Sequence, residues 1–169
     1  MITEAPSKTK VFLAQLVVVL AIALIISGVA WYDLSAESRQ RLWQNIIDRP
    51  GGPMKFRFIL QPVMATIAAL HDGMTDARIG RSPYLWTILT NRAHRAGRLR
   101  EGLISTARVI LLGLAMDTIY QIIVFKAFYP VETVIVAFLL AFVPYLLLRG
   151  PIARVAHWWR DRASAGGSG

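Results

Sequence analysis

Asp72 and Asp76, in HDGMTDARIGR (71–81), are the first pair in this sequence whose type and spacing suit chemistry. Residues four apart share one face of a helix, so both carboxylates would point the same way. That is a workable arrangement for Mg²⁺, which is usually held by one or two carboxylates plus water or substrate phosphate. A third carboxylate, Asp117, interrupts LLGLAMDTIYQ (111–121), a run otherwise suited to lipid. The three histidines, His71, His94 and His157, fall in separate stretches without the spacing of a zinc or haem pair. There is no cysteine, which excludes thiolate catalysis and Cys-based metal or haem attachment. No G-x-S-x-G elbow is present, and no cofactor is expected.

Each candidate has a plainer structural reading. Asp72 and Asp76 also suit the charged end of an interfacial helix, with nearby arginines on lipid phosphate. A carboxylate at the depth of Asp117 costs roughly 2.5–3.5 kcal/mol on insertion scales, so it should face protein or water. At 100° per residue Gly113, Tyr120 and Gln121 share its face, with Thr106 on the same line. Arg108 is nine residues away, half a turn round and about 13.5 Å along the axis, so it is not the partner on its own helix. In a hairpin Arg108 should lie near the level of Arg149, both reaching cytoplasmic phosphates. Three roles stay open for Asp117: polar glue between helices, a proton- or ion-coupling carboxylate, or part of a ligand pocket. Gly113 beside it permits close helix approach and favours the first.

The elements that must hold these residues are helices in a membrane. Apolar residues make up 55% of the 169-residue chain and charged ones only 17%, against about 45–50% and about 25% in ordinary soluble domains. The apolar residues are concentrated in long blocks. Residues 11–32, 103–125 and 131–148 each approach the roughly 20 residues that cross a hydrocarbon core of about 30 Å. A cleaved leader is the rival for 11–32, since Gly28 and Ala30 are small, but its apolar run exceeds the usual 7–15 residues. Residues 1–10 read as an N-terminal tail.

Between the first two spans, residues 33–102 read as one basic cytoplasmic or interfacial region. RPGGP (49–53) breaks any helix there. The apolar segment 55–70 has an uncharged core shorter than a full crossing, which suits a re-entrant or interfacial helix, with a fourth span as the alternative. Ser82-Pro83 marks a new helix start, and 91–101 reads as a basic loop or amphipathic turn. Residues 126–130 form a hairpin turn. Arg149-Gly150-Pro151 should stop the last span, followed by an amphipathic stretch with Ile152, Val155, Ala156 and Trp159 on one stripe. The tail 163–169 reads as flexible coil.

The net charge of +9 does not point to nucleic acid. The cations flank the apolar blocks, where positive-inside topology and anionic headgroups account for them. Arg57, Arg78, Arg81, Arg92, Arg95, Arg98, Arg100, Arg149 and Arg154 are the expected contacts to headgroups or an acidic partner. With three spans, 15 Lys and Arg share one side against 3 on the other; with four, the split is 12 against 6. Both assignments put the C-terminus in the cytoplasm.

Two resemblances follow from quoted residues. DGMTDAR resembles the opening of the CDP-alcohol phosphatidyltransferase motif, which implies a Mg²⁺-dependent lipid headgroup transfer through Asp72 and Asp76. Here Ala77-Arg78 lie one residue too far along, and no aspartate falls between Asp76 and Asp117 to complete that motif. More broadly, RPGGPMKFRFILQPVMA, DGMTDARIGRSPYLWTIL, LREGLISTARVILLGLAMDTIYQ and FYPVETVIVAFLLAFVPYLLLRGP resemble a family of small bacterial inner-membrane proteins over about residues 40–155. That likeness implies a bacterial membrane home and no particular activity. The expectation is an all-α integral membrane protein acting as a non-enzymatic accessory or scaffold subunit, with a membrane-protein partner or a second copy. An oligomeric transporter using Asp117 and a headgroup enzyme using Asp72 and Asp76 are the alternatives.

Overall fold

The computed structural model describes residues 6–32, 35–52 and 54–166. Every regular element among them is helical: α1 (Lys8–Trp31), α2 (Ala36–Asp48), a 3₁₀ turn (Arg49–Gly51), α3 (Arg57–Arg78), α4 (Tyr84–Thr90), α5 (Arg92–Tyr120), a π-helical turn (Gln121–Phe125) and α6 (Pro130–Gly166). Three helices are long and apolar enough to cross a membrane, over Lys8–Trp31, Arg92–Phe125 and Pro130–Arg160.

Local chemistry sets the helix ends, and in three places they differ from expectation. Asn91 accepts a hydrogen bond from the His94 N–H and caps α5, so the basic stretch 91–101 is the beginning of that helix rather than a loop or turn. Such a cap satisfies one of the free amides of the first turn. Residues 57–70 of the apolar segment belong to a longer helix, α3, that takes in DGMTDAR as far as Arg78 and is closed off at Gly80. There the Gly80 N–H bonds Ala77 O and the Arg81 N–H bonds Asp76 O at 3.0 Å, with Gly80 at φ 65°. This paired closure needs a left-handed residue, which glycine supplies without steric cost.

The third difference is in α6, which does not stop at 149–151 but passes both Pro144 and Pro151. Each proline removes one ladder bond, and the flanking turns hold the helix together. The expected amphipathic segment is therefore its continuation, with Ala153 buried and Val155 and Trp159 exposed. Residues 163–166, expected as coil, close this helix, and 167–169 lie outside the described residues.

Residue pairings set the direction of each helix. Along α3, Arg57 meets Asp117, Asp72 meets Ser105 and Tyr145, and Asp76 meets Arg98 and Arg149. Thus α3 runs antiparallel to α5 and parallel to α6. In α1, Gly28 lies against Val131, and the Tyr32 hydroxyl donates to Phe128 O at 2.7 Å, so α1 is antiparallel to α6. The result is an up-down-up-down bundle in which α5 and α6 touch each other and both flank helices. Within residues 33–102, α2 sits at one end of the bundle, α4 at the other, and α3 joins the ends.

The α3–α6 contact has a four-residue repeat. Arg57, Gln61, Ala65, Ala69, Gly73 and Ala77 are buried on α3, and Ala137, Ala141, Tyr145, Arg149 and Ala153 on α6. Small residues at this spacing let helix backbones approach closely. A Cβ on Gly73 would lie 2.8 Å from Ile152 Cγ2 and 3.0 Å from Arg149 O, so nothing larger fits without displacing α6.

Candidate functional site

The polar residues gather into two clusters, one at each end of this contact. Measured along α6, Glu132 and Arg149 stand about 26 Å apart at the usual helical rise.

The first cluster joins the start of α3, the end of α5 and the start of α6. Arg57 NH1 lies 2.8 Å from Asp117 Oδ1, and Arg49 Nε lies 3.5 Å from the same oxygen. All three side chains are fully buried. The Arg57 contact is an ion pair without hydrogen-bond alignment, since neither NH1 nor Oδ1 has a well-directed partner. Gln121 Nε2 donates to Asp117 Oδ2 at 2.7 Å and to Thr133 Oγ1 at 3.0 Å, while its Oε1 accepts the Tyr129 N–H at 2.6 Å. Gln121 thereby ties the hairpin turn to Asp117. Arg49 also pairs with Glu132 at 3.0 Å, and Asn45 donates to Glu132 at 3.1 Å. The Tyr120 ring lies beneath Arg57, 4.6 Å from the guanidinium carbon. Gly52 turns close against the Tyr120 hydroxyl, where a Cβ on it would lie 2.7 Å from the oxygen.

The second cluster joins the end of α3, α4, the start of α5 and the middle of α6. Arg149 grips Asp76 with two nitrogens, Nε at 2.7 Å and NH2 at 3.0 Å. This bidentate geometry is the strong form of a guanidinium–carboxylate pair. Arg98 reaches Asp76 at 3.4 Å and Glu101 at 3.3 Å, and Arg81 reaches Glu101 at 3.3 Å. Asp72 Oδ2 accepts from Ser105 Oγ at 2.5 Å and from the Tyr145 hydroxyl at 2.7 Å. Tyr84, buried beneath Arg149, donates to Arg98 O at 2.6 Å. Burial pushes the Tyr84 phenol up to about 12, against the opposing pull of Arg149.

Asp72 and Asp76 do share a face, as their spacing required. However, that face meets Arg149, Tyr145 and Ser105, and among the described residues no three carboxylate or imidazole groups come close enough to share a metal ion. Asp117, Tyr120 and Gln121 are brought together and buried, with Gly113 and Thr106 on the same face. Arg57, Arg98 and Arg149, expected on headgroups, are instead buried in ion pairs, Arg57 and Arg149 on the four-residue stripes of α3 and α6 and Arg98 on the buried face of α5. Arg81 is exposed but engaged with Glu101. Arg78, Arg92, Arg95, Arg100 and Arg154 are exposed. Arg108 is exposed about 10 Å further along α5 than Glu101, away from the level of Arg149.

Sequence reasoning missed Arg49, Glu132, Glu101, Tyr84, Tyr145, Ser105 and Gln61. Glu132, in the first turn of α6, reads as an ordinary acidic helix start. The repeat beginning at Arg57 was the signal that would have placed both Arg57 and Gln61 inside. Gln61 is buried with neither end of its amide hydrogen-bonded to protein. No family model, no curated protein and no solved structure matches this chain.

Proposed function

We propose that this chain is a bacterial inner-membrane protein crossing the bilayer four times, through α1, α3, α5 and α6, with the C-terminus in the cytoplasm. Its work is non-catalytic: it is an accessory subunit that offers a rigid helical face to another membrane protein. One observation carries the reading. The buried carboxylates are held by arginines at both ends of the bundle, Asp117 and Glu132 at one and Asp76 at the other. Groups committed in this way lock helices together; a general base or metal ligand needs a free lone pair facing substrate. A proton carrier needs a carboxylate that can exchange its partner for a proton and reach water, and Asp117 sits enclosed between two guanidiniums.

Four crossings agree with the length of α3, whose 22 residues span about 33 Å. The charge bias keeps its sign in this arrangement, with 12 cations on the α4 side against 6 on the α2 side. Outward residues of α3 such as Ile59, Val63, Ile67 and Leu70 are apolar and exposed, as lipid or a partner helix requires. Purification in mild detergent after in-membrane crosslinking is the test. A defined heterologous membrane protein should be recovered in stoichiometric amount; a lone monomer, or a lone multimer of this chain, would overturn the accessory role.

A further inference from the structure

Over α5, between α1 and α3, the bundle is not closed. Two cavities of about 380 Å³ and about 310 Å³ lie there and share Lys10, Asp72, Ile104 and Ser105, forming one groove. Its inner half is apolar, walled by Leu13, Met64, Ile67 and Ala68. Its mouth lies at the level of the second ion cluster. There the acids are already engaged: Asp76 and Glu101 with arginines, Asp72 with Ser105 and Tyr145. Lys10 and Arg108 also line the groove, and neither has a carboxylate within ion-pair distance among the described residues.

Arg108 is the telling residue. It is exposed on the groove wall, inside the apolar stretch of α5, where an arginine is costly unless it reaches an anion. The nearby acids of the chain are taken, so the anion must come from outside. We propose that this groove holds one anionic phospholipid, its phosphate between Lys10 and Arg108 and one acyl chain along Leu13, Met64 and Ile67. The inference rests on membrane residence and is independent of any docked protein. A free phosphate would leave the apolar half bare, and an uncharged helix would leave the two cations without a counterion.

The test is native mass spectrometry of the full chain released from mixed nanodiscs, with phosphatidylglycerol and phosphatidylcholine as probes. The wild type should retain one phosphatidylglycerol in preference to phosphatidylcholine. Lys10→Gln with Arg108→Gln should weaken that retention on the order of 30-fold, from the usual worth of two interfacial cations. Lys55→Gln with Lys126→Gln, the same charge loss at the far end, should leave it intact. Ala68→Trp keeps both cations and fills the apolar half; it should also expel the lipid, and serves if the double variant fails to fold. Equal retention of the two lipids overturns the proposal, as does full retention by Ala68→Trp. Displacement by millimolar inorganic phosphate, or a polypeptide crosslinked in the groove, would do so too.

Discussion

Arg57 and Asp117 form an ion pair with no access to water, and removing one member leaves the other buried without its main counterion. Breaking a buried pair in this way costs about 3–5 kcal/mol. Arg57→Ala should therefore lower stability by that amount in denaturant unfolding from detergent, while Arg57→Met combined with Asp117→Leu should recover most of it. A loss for the double variant equal to the sum of the single losses would show that the two do not act as a pair. Tyr84 gives a pH test. Its phenol is held above the unfolded value of about 10, up to about 12, so the stability linked to its proton is complete below about pH 10. It is lost as pH rises toward 12, and melting curves of Tyr84→Phe should lack that increment. The face around Asp117 was legible, because one helical period suffices to place Gly113, Tyr120 and Gln121 beside it. Its partners were not: Arg49 and Arg57 lie on other elements, and no periodicity within α5 refers to them.

Among the helices, glycine positions separate packing from propensity. Gly73→Leu pushes a side chain into Ile152 and the backbone of α6, and overpacking of this kind costs about 1–3 kcal/mol or more. Gly97 on α5 meets nothing within 4 Å, so Gly97→Ala should stabilise by roughly 0.5–1 kcal/mol through helix propensity alone. Thermal melts of the two variants, moving in opposite directions, check both statements. The long apolar blocks α1, α5 and α6 were legible because hydropathy over about 20 residues is a strong signal. The limits of α3 were harder to read. Its second half carries His71, Asp72 and Asp76, which read as the charged end of an interfacial helix until Arg149 and Tyr145 on α6 supply partners for the two aspartates. The same holds for 91–101, where charge density suggested a loop but a single Asn91 cap starts a helix.

At the scale of the whole molecule, the alternating bundle makes a topological prediction. Single cysteines at Lys55 and Arg95 should label from opposite faces of intact inverted and right-side-out vesicles, with Arg95 on the face shared by Arg154. Labelling of both from one face would restore the three-span arrangement. Positive-inside counting favoured that arrangement because it gathers more cations on one side, but counting does not register that Arg49 and Arg57 are committed to buried acids. The two ion clusters stand about 26 Å apart along α6, with an apolar belt between them that Arg108 interrupts on α5. A bilayer much thicker than that belt would draw guanidinium pairs into oil, and a thinner one would wet Ile and Val side chains. In the four-span arrangement proposed above, this spacing would act as a gauge of membrane thickness, and the melting temperature should peak in lipids whose acyl length matches it.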